Sequence, residues 1–478
     1  MSYLDRIDGY REDMIRDLQG LIAIPGVAGD PQGDMPFGED VHRAFEYMLD
    51  LGEEAGFETL NVDNYGGHIE FGGYLTDEEG NPAGRTEQAM GILTHVDVVP
   101  AGTDWDYPPF EGREVDGRIY GRGTTDNKGP TIAAFYAMKA LKEEGFMPNK
   151  RVRLILGLDE EAGTGWKGME AYFSKVKKPL FAFTPDAEFP AIHAEMGILI
   201  FELVKKIGKT KGKGVELRSL TGGNAANMVA DHARAVLRAD SYEDIKKSLE
   251  TYRKETGYKL ASKGIGKSLE ITVSGVSSHG ARPEKGLNAI SIMMDFLGKL
   301  DIINEDIGDF IDFYNTHIGF NLHGEQIGCG LSDEISGLLI FNVGMIHLDQ
   351  EVAKLTVNIR YPVTLNEEVV YSGMMPNLDK YNLGVVKVNH QASIYVPLED
   401  PLIQTLMDVY RKHTGDAESQ ALVIGGGTYA RSMENAVAFG MTFPGEPELA
   451  HQKNEYVLIE SLMKATKIFA DSIYELTK

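Results

Sequence analysis

The chain has 478 residues, 42% hydrophobic and 25% charged, with 47 Lys and Arg against 72 Asp and Glu, a formal net charge of −25. That composition suits a folded protein of roughly two or three domains and excludes phosphate-backbone binding, which needs clustered basic residues. The single cysteine, Cys329, excludes a disulfide framework and any Cys-based zinc or iron–sulfur site, and fits a reducing compartment.

The opening stretch places Leu4, Ile7, Met14, Ile15, Leu18 and Leu21 near helical spacing and breaks at Ile24-Pro25-Gly26, which predicts a surface helix and a loop. It lacks the charged, apolar and small-residue order of a signal peptide, and no apolar run reaches the ~20 residues that span a bilayer. A cytoplasmic protein with no membrane and no nucleic-acid partner is expected. The apolar runs MGILTHVDVV (90–99), RVRLILGL (151–158) and LFAFT (180–184) read as buried strands. Between the first two, Pro130 marks a predicted first helical position, Ile132, Phe135, Met138 and Leu141 share a face, and Gly145 is the stop. Continuous apolar strands alternating with a helix predict an α/β protein, a mostly parallel sheet flanked by helices.

From about 196 to 384 the strands alternate apolar with polar residues, as in LEITVSGVS and KLTVNIRYPV, which predicts an inserted α+β domain with one wet sheet face. The expected organisation is a first domain made of residues 1–195 and 385–478, with a second domain (196–384) inserted in it. A last helix is predicted over 454–476, with Val457, Leu458, Leu462, Ala465, Ile468 and Phe469 on one stripe.

Acidic and imidazole groups recur where the parallel strands end, the edge at which such sheets bind ligands. His95 and Asp97 stand two apart in the first apolar run, which predicts a shared side. Asp126 lies in the glycine-rich loop GRGTTDNKGP; Asp159, Glu160 and Glu161 follow the second run, and Asp186 the third. Singly, each is explained as a cap or turn acid. Together they would repel one another unless a cation sits among them, so one or two divalent metals are expected. Oxygen and imidazole donors suit Zn²⁺, Mn²⁺ or Co²⁺. His451, before the last helix, is a candidate loop ligand, and His279 sits in a small-residue loop of the insert. His42, His68, His232, His317, His323, His347, His390 and His413 are read as surface or hydrogen-bonded residues, with His193 open.

Two nucleotide patterns fail. Gly163, Gly165 and Gly168 fit G-x-G-x-x-G, but Asp159, Glu160 and Glu161 precede them and would repel a pyrophosphate. Gly266-Lys267-Ser268 lacks the first P-loop glycine, since position 261 is Ala. No serine nucleophile elbow stands out.

The ordered set THVDVVPAG, GRGTTDNKGP, LDEEAGTGW, TPDAEFP and AHQKNE resembles the motifs of the co-catalytic zinc metallopeptidase family of aminoacylases, carboxypeptidase G and succinyl-diaminopimelate desuccinylase. PDAEFP, the GGGTYAR loop and the long insert look most like its carnosinase-type (Xaa-His) dipeptidases. The resemblance implies a zinc-peptidase-like fold with a lid, and a metal-dependent dipeptidase acting on short peptides, β-Ala-His among the candidates. It implies His95 and Asp186 as ligands of one metal, Glu161 and His451 of the other, and Asp126 bridging both. Asp97 would orient an imidazole, Glu160 would be the general base, and His279 would reach the scissile carbonyl oxygen. Asn227 and Arg360 would contact substrate from the lid, and Gly425, Gly426, Gly427 and Thr428 would offer N–H groups to its carboxylate. Two divalent ions are implied, Zn²⁺ first with Mn²⁺ or Co²⁺ as alternatives, in a monomer, with a homodimer as the alternative. Two other functions stay open: an N-acyl amino acid amidohydrolase or desuccinylase, and a non-catalytic peptide-binding protein.

Overall fold

The computed structural model describes residues 2–76, 79, 82–162, 165–209 and 213–478. Gly163 and Thr164 of the rejected glycine pattern, and residues 210–212, lie outside the described residues. The chain divides into two compact units, Met1–Ala194 with Val396–Leu422 and Gly427–Lys478, and Glu195–Tyr395 with Val423–Gly426.

The first unit is built on a mixed sheet whose strands run in the order Glu58–Asn61, Gly67–Gly72, Arg151–Gly157, Ala89–His95, Phe181–Thr184, Ala436–Phe439 and Ala191–Glu195. The four central strands are parallel, and those at the flanks antiparallel. Every residue of Ala89–His95 is buried, so both faces of the sheet are covered, as the uninterrupted apolar pattern requires. The helix Lys128–Glu143 packs on this sheet and against Ile459–Thr477. Because the strands are parallel, the segments after His95, Gly157 and Thr184 all emerge at one edge, and His95 is level with Gly157.

The second unit is an antiparallel sheet in the order Lys259–Ile265, Ser268–Ser274, His232–Arg238, Glu216–Gly222, Ile340–Leu348, Val352–Tyr361, Gly197–Lys206 and Gly384–Gln391. Its strands alternate buried and exposed residues, and helices such as Ala289–Leu297 and Glu305–His317 cover the apolar side. Asn288 and Asn304 start these two helices by accepting hydrogen bonds from Ile290 N and Ile307 N.

Four local expectations are revised. The opening helix is two, Tyr3–Gly9 and Arg11–Ile22, broken at Tyr10. Pro130 is the third residue of its helix, a place that tolerates proline because first-turn N–H groups have no intrahelical acceptor. The last helix starts at Ile459; Tyr456–Leu458 is a strand paired with Arg118–Tyr120, so Val457 and Leu458 are sheet residues. The Gly384–Gln391 strand, read from 385 as part of the first domain, is hydrogen-bonded along Gly197–Lys206, and the second unit continues to Tyr395. Among the described residues no helix is long and apolar enough to cross a membrane.

Candidate metal centre

His95 ends its strand and is fully buried, with its Nδ1 directed at the Asp97 backbone carbonyl at 3.0 Å and at the Asp97 carboxylate at 3.4 Å. The strand stops at His95, so the two-residue alternation does not extend to Asp97, which meets the ring through its own carbonyl and carboxylate. The buried Asp97 carboxylate accepts hydrogen bonds from Glu160 N at 3.2 Å and Glu161 N at 2.8 Å. One aspartate therefore fixes both the imidazole and the Glu160-Glu161 backbone.

On its other side, His95 Nε2 is 3.2 Å from Asp126 Oδ1 and 3.6 Å from Asp186 Oδ1. It is buried and makes no hydrogen bond among the described residues. Asp126 Oδ2 is 3.1 Å from His451 Nε2, which is 2.6 Å from Glu161 Oε1. Two donor triads thus form, His95–Asp126–Asp186 and Asp126–Glu161–His451, each with its atoms mutually within 4.8 Å and sharing Asp126. A buried imidazole nitrogen aimed between carboxylates, rather than hydrogen-bonded to one, is the disposition of a ligand set, and imidazole with carboxylate is chemistry suited to Zn²⁺. The residues fit two divalent ions on a common carboxylate.

The electrostatics agree. Burial pushes the Glu160 carboxyl well above the usual range, with the Asp186, Glu161 and Asp126 charges adding to it against His95. Burial and Asp126 push Glu161 up to about 7 despite His451, and push Asp186 up to about 6 despite His95. Asp126 goes the other way: burial opposes ionisation, but its contacts with His451 and His95 hold it well below the usual range. Asp126 and Glu161 raise His451 to about 11. Burial opposes charge on His95, yet Asp186, Asp126 and Asp97 raise it well above its ordinary value. The site demands positive charge.

Several supporting residues escaped the sequence reading. Asn127 Nδ2 donates to Asp186 Oδ1 and to Pro185 O, both at 2.9 Å, orienting that carboxylate. The buried Tyr429 sets its ring edge-on to His95 with centroids 6.0 Å apart, and its hydroxyl donates to Asp159 Oδ1 at 3.2 Å. Gly157 makes room for it: a Cβ there would lie 2.2 Å from the Tyr429 ring. Asp159 also accepts from Gly168 N at 3.0 Å, so it shapes the turn carrying Glu160 and Glu161. His68 and His413 are hydrogen-bonded residues, to Tyr172 Oη at 2.7 Å and Asp471 Oδ2 at 2.7 Å, and His193 is buried with Nδ1 on Val396 O at 3.0 Å.

The residues read as substrate contacts divide between the units. In the second unit, Asn227 O accepts from Gly280 N at 2.7 Å, and Met228 bridges His279. A Cβ on Gly425 would stand 3.1 Å from Ala281 Cβ and 3.6 Å from Arg360 Cγ, so Asn227, His279, Arg360 and Gly425 cluster there. Asn227 and His279 are exposed and Arg360 is buried. Asn342, not foreseen, supports this cluster by donating to Ala226 O and Met228 O at 3.1 and 3.0 Å. Gly426 follows Gly425 in the second unit, while Gly427 and Thr428 belong to the first, where Thr428 caps a short 3₁₀ turn through Ala430 N.

The chain is 38% identical over 483 residues to "Putative dipeptidase" of Staphylococcus epidermidis, covering 99% of this chain and 98% of the relative. It is 37% identical to "Putative dipeptidase YtjP" of Bacillus subtilis, covering 98% of each. Its fold is similar to the crystal structure of human carnosine dipeptidase 1, with a TM-score of 0.57 at 16% identity over 99% of this chain and 98% of that one. The sequence pattern of Peptidase family M20/M25/M40 matches residues 91–475, a span that takes in all the residues of both triads, and the chain belongs to that family as a metallohydrolase.

Proposed function

We propose that the protein is a dipeptidase that cleaves the peptide bond of short peptides with a metal-activated water, Glu160 serving as general base. The observation that carries this is the Asp126 carboxylate shared by two donor triads, with a half-buried Glu160 following the same strand as Glu161. His95, Asp126 and Asp186 would hold one ion, and Asp126, Glu161 and His451 the other, Zn²⁺ before Mn²⁺ or Co²⁺. Bound there, two divalent ions supply Lewis acidity toward a peptide carbonyl and acidify water.

The protein's own groups do the rest. Asp97 holds the Glu160 backbone N–H and so aims the carboxylate. A carboxyl raised by burial takes a proton from the attacking water and returns it to the leaving amine, a role worth about 10²–10⁴ in rate. His279 donates to the oxyanion. Asn227 and Arg360 contact the substrate, and the backbone N–H groups of Gly425, Gly426, Gly427 and Thr428 receive its carboxylate. The names of relatives matched end to end support a dipeptide over an acylated amino acid. A monomer working in a reducing compartment completes the proposal, in keeping with the single, buried Cys329.

The test is hydrolysis of Leu-Gly, β-Ala-His and an N-acetyl amino acid by metal-stripped protein, before and after adding Zn²⁺ or Mn²⁺. Metal-dependent dipeptide cleavage that falls at least 100-fold in Glu160→Gln is expected. Preference for the acyl substrate would replace the dipeptidase with an amidohydrolase, and metal binding without turnover would leave a peptide-binding protein.

A further inference from the structure

Behind the metal centre, outside both triads, lies a buried ion pair that the chemistry above does not use. Glu455 is fully buried four residues beyond His451. Its Oε1 accepts from Thr125 N at 2.8 Å, Thr125 Oγ1 at 2.9 Å, Gly123 N at 3.1 Å and Asp126 N at 3.3 Å. Its Oε2 accepts from Arg122 Nη1 at 2.5 Å, and that same nitrogen donates to Gln452 O at 3.2 Å. Arg122 is itself buried, its guanidinium 5.4 Å over the Trp105 ring.

A buried ion pair is weak grounds for stability, because desolvation offsets most of the attraction; its better-attested use is to fix one arrangement. Here the arrangement fixed is that of two ligand-bearing loops. The first carries Asp126 and bends at Gly123, whose φ is +93°. The second carries His451, a half-exposed ligand whose own φ is +64°, a left-handed conformation that a histidine holds only when its surroundings impose it. His95 and Asp186, by contrast, are held by their strand ends, Asp97 and Asn127.

We infer that Glu455 and Arg122 are positioning residues for the metal bound by Asp126, Glu161 and His451, and that this ion depends on the pair more than its neighbour does. This rests on the two-metal reading above. Partners that hold metal ligands in place contribute about 10–100-fold in affinity. Glu455→Gln keeps the shape but turns an amide donor toward either the loop N–H groups or Arg122. Asn454, which is hydrogen-bonded to Asp106, still anchors the turn.

The experiment is a stepwise Co²⁺ titration of the metal-free full chain, read by visible absorption and calorimetry, for wild type, Glu455→Gln and Arg122→Lys. Wild type is expected to bind two equivalents. In Glu455→Gln one equivalent should weaken about 10–100-fold and the other stay within about threefold. With Leu-Gly, kcat should fall at limiting Co²⁺ and recover as Co²⁺ is raised, with KM little changed. Two equivalents bound as in wild type, or both weakened alike, would overturn the inference while leaving the two-metal reading intact. A wild type that binds fewer than two would overturn both. If Glu455→Gln does not fold, Arg122→Lys decides: it keeps the charge but ends one bond short of the Nη1 nitrogen that reaches both Glu455 and Gln452, so the same equivalent must weaken several-fold, and unchanged binding refutes the inference.

Discussion

Replacing Asp97 by Asn tests how the centre is assembled. The carboxylate takes the N–H of Glu160 on one oxygen and that of Glu161 on the other, at 3.2 and 2.8 Å. An amide offers a single oxygen, so one of these N–H groups faces an NH₂. The His95 ring keeps its bond to the Asp97 backbone carbonyl at 3.0 Å, and the imidazole orientation should survive. A buried donor left without its acceptor costs about 1–3 kcal/mol. At about 1.36 kcal/mol per decade, that is a loss of about 5- to 150-fold, divided between kcat and metal affinity. Steady-state kcat/KM on Leu-Gly at saturating metal gives the first part, and Zn²⁺ titration of the metal-free protein gives the second. Asp97→Asn with kcat/KM within twofold of wild type and unshifted Zn²⁺ affinity would refute the role given to this carboxylate.

Other outcomes follow from the same geometry. Gly157→Ala drives a methyl into the Tyr429 ring and should destabilise the fold by about 1–3 kcal/mol, measured by urea unfolding. Asp471 is buried and accepts from Tyr3 Oη, Lys412 Nζ and His413 Nε2 at 2.5, 2.6 and 2.7 Å. Although burial opposes its charge, these partners hold its carboxyl well below the usual range, so its stabilisation is present above the unfolded value near 4 and is lost as pH falls below it. Asp471→Asn should therefore be less stable than wild type at pH 7, with the gap narrowing in acid; a gap that widens on acidification would contradict this. Metal that binds only the folded chain should add about 2.7 kcal/mol at a hundredfold excess over its Kd, so chelation should lower Tm and Zn²⁺ restore it.

The residues of the two donor triads were legible because they interrupt or follow apolar runs: His95 within the first run, Asp186 after Pro185, Glu161 after Leu158. What supports them was not. Glu455 falls within the predicted last helix, where nothing marks it, and the pairing of Arg118–Tyr120 with Tyr456–Leu458 brings it against Gly123 and Thr125. Asn127 was hidden beside Asp126, and Tyr429 within a loop read for its glycines. The Ala436–Phe439 strand is four residues long and carries no period of its own; its place in the sheet follows from tertiary pairing alone. The reach of the antiparallel sheet to 391 was equally silent, since Val386 and Val388 lie exposed on its outermost strand.

That short Ala436–Phe439 strand has a consequence for biosynthesis. It lies between Phe181–Thr184 and Ala191–Glu195, so a growing chain makes both neighbours long before it makes the strand that joins them. At about 5–20 residues per second, the ribosome needs roughly tens of seconds to supply it. During that interval the Phe181–Thr184 edge of the nascent sheet lacks its outer partner, an unpaired backbone edge of the kind that recruits other chains. Nonsense or frameshift products ending before Ala436 keep that edge open for good, and should accumulate as aggregates or protease substrates rather than as folded fragments.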